Sequence, residues 1–179
     1  DITQEELTIL IEELRRKKKL VFETSHRRSD GTIVPVEITT YYLQYGDLEL
    51  SVGQIRNLTQ RKQDEDVNRF LSHLVEFSTT PVFALDMDDD FRMAFVNRAA
   101  CEHYGMSSQE LLKMRLPDWD PVFTHDKLAE LKAQIMDSEG IFLETQHRKK
   151  DGSIVPVEIV GNHIVYQNRN MSAGYIRDI

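Results

Sequence analysis

Gly152-Ser153-Ile154-Val155-Pro156-Val157-Glu158-Ile159 has an earlier copy in the same chain, Gly31-Thr32-Ile33-Val34-Pro35-Val36-Glu37-Ile38. Each copy follows an aspartate, so that Asp30-Gly31 and Asp151-Gly152 stand between two runs of β-formers. Asp-Gly in that setting signals a hairpin, because glycine takes positive φ without steric cost. The stretch predicts antiparallel sheet, and its recurrence predicts a duplicated unit. The two copies are 121 positions apart, and the same offset aligns Glu23 with Glu144, His26 with His147, Tyr45 with Tyr166 and Gly53 with Gly174. Phe22–Leu58 lies on Leu143–Ile179 without a gap, with 17 of 37 positions identical. A weaker match further back puts Thr3, Leu7, Leu10 and Leu14 on Thr124, Leu128, Leu131 and Ile135. The repeated piece is therefore a helix followed by three strands.

Working outward, residues 3–19 read as an amphipathic helix. Thr3 and Glu6 are placed for a capping box, and Leu7, Leu10, Ile11 and Leu14 form one apolar stripe. Strands are expected at 21–28, 32–45 and 49–56, with Pro35 marking a bulge or a backbone position that needs no N–H partner. Residues 57–77 are polar, lack Gly and Pro, and carry Val67, Leu71 and Leu74 at heptad-like spacing, widened by Phe70 and Phe77. They predict a linker helix of about 20 residues able to pair in a short coiled coil. Residues 78–179 form a complete unit in the order β-β-α-α-α-β-β-β, with Asn97 and Gly105 bounding a short helix, a loop at Leu116–Val122 and Thr124 capping the long helix. The expected division is 1–58 for the back half of a first unit, 59–77 for the linker helix and 78–179 for the full second unit.

Bulk composition bounds the function. The chain has 179 residues, 40% hydrophobic and 29% charged, with a net charge of −8. That charge argues against nucleic acid as a partner. No apolar run of about 18 residues exists to span a membrane, and the acidic start Asp1-Ile2-Thr3-Gln4-Glu5-Glu6 is unlike a signal peptide. One cysteine excludes an internal disulfide and suggests a reducing, cytoplasmic setting. The basic run Arg15–Lys19 suits a solvated helix end better than a binding patch.

Several motifs then carry a family resemblance. They are Phe95-Val96-Asn97-Arg98-Ala99-Ala100, Tyr104-Gly105, Ser108–Leu112, His147-Arg148-Lys149-Lys150-Asp151-Gly152 and Gly174-Tyr175-Ile176-Arg177-Asp178-Ile179. In this order and spacing the second unit resembles a PAS domain with its C-terminal PAC motif, and Trp119-Asp120-Pro121 is similar to a motif of sensor histidine kinases. The resemblance implies an α+β fold: a five-stranded antiparallel sheet with helices on one face and a small cavity between them, preceded by a half unit and a linker helix. It implies a cytoplasmic sensory or regulatory module without catalysis of its own, fused to an output domain such as a histidine kinase. It also implies that Asp178-Ile179 opens the family's exit motif, where the first unit has Asn57-Leu58-Thr59 instead. Glu110 is expected to pair with Lys149 or Lys150.

No catalytic set emerges. Cys101 and His103 fall on different faces of one helix, so Cys101 reads as a buried filler. The flavin-photosensor relatives carry Gly-x-Asn-Cys, which this chain lacks. For haem, His125 sits at a helix start while His147 and His163 lie on strands; the match of His26 with His147 points to a shared structural role. One cysteine with scattered histidines does not make a zinc site. Asp86–Asp90 lacks calcium-loop spacing and reads as a solvated hairpin tip. No cofactor is named by the sequence. The candidate pocket residues are Phe83, Phe95, Tyr104, Met114, Trp119, Phe123, Leu131, Ile135, Val157, Ile159 and Met171. They would surround a small-molecule ligand, or else close over one another as a filled core that only sets dimer geometry. The half unit lacks the strand that would cover 49–56, so a homodimer through that open edge and the linker helix is expected.

Overall fold

The structure, a computed structural model, describes residues 3–138 and 140–179; Asp1, Ile2 and Glu139 lie outside it. It falls into two units, divided inside one helix between Arg69 and Phe70. Unit 1 opens with α1 (Gln4–Lys17). Its capping box is formed: the Glu6 amide donates to Thr3 Oγ1 at 3.2 Å, and the Thr3 amide donates to the Glu6 carboxylate at 2.8 Å. Arg15, Arg16 and Lys17 fill the last turn, at the negative end of the helix dipole. β1 (Lys19–Arg27), β2 (Ile33–Tyr45) and β3 (Leu48–Asn57) follow as an antiparallel meander.

Pro35 makes no bulge, and the β1–β2 register runs unbroken through it. Its carbonyl accepts from the Leu58 amide at 2.9 Å, beyond the last β3 pairing at Asn57. The ring nitrogen lies on that same side of the strand, where the ladder has ended and no N–H is required. Every β3 residue is exposed, and among the described residues no strand pairs with its far edge. α2 (Thr59–Glu76) comes next, its first amide donating to Asn57 Oδ1 at 2.8 Å. None of its residues is buried.

Unit 2 contains β4 (Val82–Asp86), β5 (Arg92–Val96), α3 (Arg98–Tyr104), α4 (Ser108–Leu111), α5 (Leu116–Trp119), a 3-10 turn at His125–Lys127, α6 (Leu128–Asp137), β6 (Ile141–Arg148), β7 (Ile154–Tyr166) and β8 (Arg169–Asp178). The strands pair antiparallel in the order β5-β4-β8-β7-β6. Shifted by 121, the ends of β2 and β3 coincide with those of β7 and β8, so the repeat read in sequence is a repeat of structure. The helices cover one face, and Phe83, Leu85, Phe91, Met93, Tyr104, Leu111, Trp119, Val157 and Ile176 fill the core. Burial of each such side chain is worth about 1.5–3 kcal/mol.

Local signals explain the short elements. The Ala100 amide donates to Asn97 Oδ1 at 3.0 Å to start α3, and Gly105 ends it in the left-handed region at φ 68. Ser107 and Glu110 form a second capping box. The segment expected as a loop around Trp119 contains one helical turn with Pro117 near its start, a position where a missing N–H costs nothing. Thr124 caps nothing with its side chain, and the helix after it opens as a 3-10 turn. The acidic tract is solvated only in part: Asp88 and Asp90 are exposed, but most of its carboxylates are engaged. Asp86 is buried against Arg169 at 2.8 Å, Asp88 holds Lys132 and the Asn170 amide, and Asp89 holds Arg92 and Arg115 at 2.6 and 2.7 Å.

Gly161 and Gly174 face each other across β7 and β8. A Cβ on Gly174 would meet the Val160 carbonyl oxygen and would stand 2.8 Å from Gly161 Cα. In unit 1 the matching Gly53 would place a Cβ at an ordinary 3.5 Å from the Thr39 oxygen. Gly174→Ala is therefore expected to destabilise unit 2 by about 3 kcal/mol, read from urea unfolding through Trp119, the single tryptophan. Gly53→Ala, followed by backbone circular dichroism, is expected to stay within about 0.5 kcal/mol of the parent.

Candidate functional site

A cavity of about 40 Å³ lies between the sheet and the helices of unit 2. Six of the expected residues line it: Phe83, Trp119, Phe123, Leu131, Ile135 and Ile159. Tyr104 and Val157 are fully buried in the adjoining core, and Met114 packs partly buried against it. None of these three reaches the cavity wall. Phe95 and Met171 are displaced by strand alternation. The β4–β5 register slips after Ala84, so Val96 pairs with inward-facing Phe83 and Met93 with inward-facing Leu85, which leaves Phe95 opposite Ala84 on the other face. Phe95 instead lines an open groove with Leu71, Val75 and their neighbours on α2. On β8 it is Ser172, across from Leu85, that reaches the cavity, and Met171 is buried one position away.

Sequence reasoning missed the polar part of the wall: Asp120, Thr145, His147 and Ser172. His147 sits on β6 with no exposed surface. Its Nδ1 lies 3.1 Å from His103 Nε2 and 3.1 Å from the Tyr104 hydroxyl. His103 Nδ1 in turn lies 3.1 Å from Asp178 Oδ1 at the end of β8. The His147 ring stacks on Tyr104 with centroids 5.2 Å apart and meets Trp119 edge-on at 4.9 Å. Thr145 donates to Asp120 Oδ2 at 2.7 Å, and the Val122 amide donates to Oδ1 at 2.9 Å. Among the described residues, two buried polar atoms here have no partner: Trp119 Nε1 and His147 Nε2. A buried histidine on a strand announces itself by no spacing rule. Its one visible signal was the pair His26 and His147, but His26 is only half-buried, because unit 1 has no counterpart of α3 to bring a histidine and a tyrosine against it among the described residues.

The electrostatics follow from burial. Desolvation, with His103 nearby as a second cause, pushes His147 down to about 3. Desolvation lowers His103 too, against the pull of Asp178, and raises the Tyr104 phenol well above its ordinary value. Asp120 is pushed up to about 6 by desolvation, against the bonds from Thr145 and Val122. On the surface of unit 2, Glu110 takes Lys150 Nζ at 2.6 Å as expected, and that bond leads the causes holding Glu110 at about 2. Burial also raises the Cys101 thiol. Among the described residues no group of three or more His, Cys, Asp or Glu could hold a metal ion, and no helix is long and apolar enough to cross a membrane.

Comparison with known proteins agrees with this geometry. The family model described as PAS domain matches residues 2–60 and 80–179. The chain belongs to the PAS domain family. A crystal structure of the PAS domain of an HTR-like protein from Haloarcula marismortui is 22% identical with a TM-score of 0.61, covering 67% of this chain and 98% of that one. The PAS domain from a two-component sensor histidine kinase is 26% identical with a TM-score of 0.57, covering 65% and 100%. An RNA-binding light-oxygen-voltage receptor is 10% identical with a TM-score of 0.54, covering 98% and 83%. No curated protein matches the chain.

The two buried groups predict opposite pH effects. The unfolded chain protonates His147 near 6.5 and the folded chain near 3. This part of the stability is full above about 6.5 and is lost as pH falls toward 3. The folded chain keeps the Asp120 proton up to about 6, the unfolded chain only to about 4. That part is present below about 4 and is lost as pH rises through 6. Between pH 4 and 6 the two oppose each other. Asp120→Asn is expected to make stability rise more steeply with pH there, by up to about 1.4 kcal/mol per pH unit, and His147→Gln to do the reverse. Urea unfolding at pH 4.5 and 6 measures both slopes; a variant that leaves the slope unchanged removes its group from this account.

Proposed function

We propose that the chain is a sensory module of a multidomain signalling protein of the sensor histidine kinase type, regulatory and without catalysis of its own. In this reading residues 1–58 are the back half of a first PAS unit, 59–77 a signalling helix and 78–179 the complete sensing unit, working in the cytoplasm. The observation that carries the reading is the cavity under a complete PAS sheet, with two buried polar groups that no atom of the described residues satisfies. Such groups carry a desolvation cost that a bound molecule would offset. The likeness to the histidine kinase PAS domain supports the output assignment. A ligand would bias the populations of two sheet arrangements, and α2 or the end of β8 would carry the bias onward. Native mass spectrometry of the purified chain, beside a denatured control, tests this: a retained small mass is the expected result, and a bare chain in every charge state counts against it.

A second reading, a ligand-free dimerisation module, is favoured by the small volume of that same cavity. About 40 Å³ is far below the several hundred of a site for a drug-sized molecule, and further still from the room that a haem or flavin takes. Both readings use a homodimer. α2 exposes Val67, Phe70, Leu71 and Leu74 along one stripe, Phe70 by 60%, and β3 offers an unpaired edge. The chain is expected to sediment as a dimer and Leu71→Glu to shift it to monomer. A wild-type monomer at about 100-fold the concentration used for sedimentation would remove the helix from the interface.

A further inference from the structure

Trp119 and His147 both line the cavity, and their unsatisfied ring nitrogens are of opposite hydrogen-bonding sense. Trp119 Nε1 can only donate. The sense of His147 Nε2 follows from the contacts behind it. Burial keeps His103 neutral, and a neutral His103 facing the Asp178 carboxylate at 3.1 Å carries its proton on Nδ1. His103 Nε2 is then a lone pair, so its 3.1 Å contact to His147 needs the proton on His147 Nδ1, shared with the Tyr104 oxygen. His147 Nε2 is left as an acceptor. Of the neighbouring polar groups, Asp120 accepts from Thr145 and the Val122 amide, and above pH 6, where it is ionised, its carboxylate opposes a second negative charge in so small a space.

We propose that this cavity binds a small neutral hydroxylated molecule, of the class of short alcohols and diols, which accepts from Trp119 Nε1 and donates to His147 Nε2. A water fills about 10–15 Å³ of such a space, so the cavity takes about three water-sized groups. A hydroxyl supplies both senses in the fewest atoms. A carboxylate supplies acceptors only and meets Asp120, and an apolar gas supplies neither. Water answers the same two atoms, so the ligand binds by displacing it. The inference deepens the sensory reading and rests on it for its biological meaning.

The test uses the full ¹⁵N-labelled chain. Trp119 is the single tryptophan, so its indole N–H is one resonance. The probes are ethylene glycol and ethanol, with acetate and xenon as the anionic and apolar comparisons. The free chain is expected to show neutral His147 protonated on Nδ1. The Trp119 indole resonance is expected to move saturably with the diol or the alcohol, and at least tenfold less tightly with acetate or xenon. His147→Phe is expected to weaken the saturable shift at least tenfold; should that variant not fold, the probe series on the native chain decides alone. A neutral His147 protonated on Nε2, shifts that only drift linearly, or acetate or xenon binding as tightly as the diol overturns the proposal. If the probes fail while native mass spectrometry finds another retained molecule, the hydroxyl class falls and the sensory reading stands; if neither finds a ligand, both fall.

Discussion

In unit 2 the last strand of the unit lies at the centre of the sheet. β8 pairs on one side with β7, its neighbour in sequence, and on the other with β4, the first strand of the unit. That second pairing turns a meander into a closed layer. It sets Phe83 and Leu85 beside Val157, Ile159 and Ile176, and so gives the helices an apolar face to cover. Unit 1 shows the same three strands without it: β3 occupies the place of β8 and has no buried residue. Nearly half the sequence is shared between the two sheets, so the contrast lies in what is paired to them rather than in their own residues.

Burial under the helices has a further effect, since it takes polar side chains out of water along with the apolar ones. Asp120, His103 and His147 are all enclosed, and the fold answers most of their hydrogen-bonding needs from within: Thr145 and the Val122 amide for the carboxyl, Tyr104 and Asp178 for the imidazoles. Buried polar groups are costly when unmatched and rigidifying when matched. The wall of the cavity has both kinds side by side, which separates it from the apolar remainder of the core.

The fold was legible because its signals are local and repeated. Asp-Gly turns, the Thr3–Glu6 box and the Asn97 and Gly105 bounds each act within a few residues, and the 121-residue offset tied the two sheets together. The apolar wall was legible in part, since alternation on a strand identifies two faces without saying which one looks inward. Phe95 was therefore assigned to the cavity when a register slip at Ala84 had turned it outward. The polar wall was not legible. His103 and His147 are 44 positions apart and Asp120 and Thr145 are 25 apart, and only the packing of α3 and α5 on β6 brings these pairs together. The ion pairs of the acidic tract were not legible for the same reason, their partners Lys132, Arg169 and Asn170 being distant in sequence.

The placement of β8 also bears on how the chain folds. Unit 1 is a run of neighbouring hairpins, each closed by a short turn, so its contacts form between residues close in sequence. Unit 2 requires Val82 to find Tyr175, nearly the whole unit apart. Closing so long a loop carries an entropy cost before any contact rewards it, and folding slows as contacts become less local. Within unit 2, β4, β5 and the helices are made before β8 and must wait for that strand to complete the sheet. The same arrangement that places β8 at the heart of the sheet makes its arrival the step on which the rest of unit 2 depends.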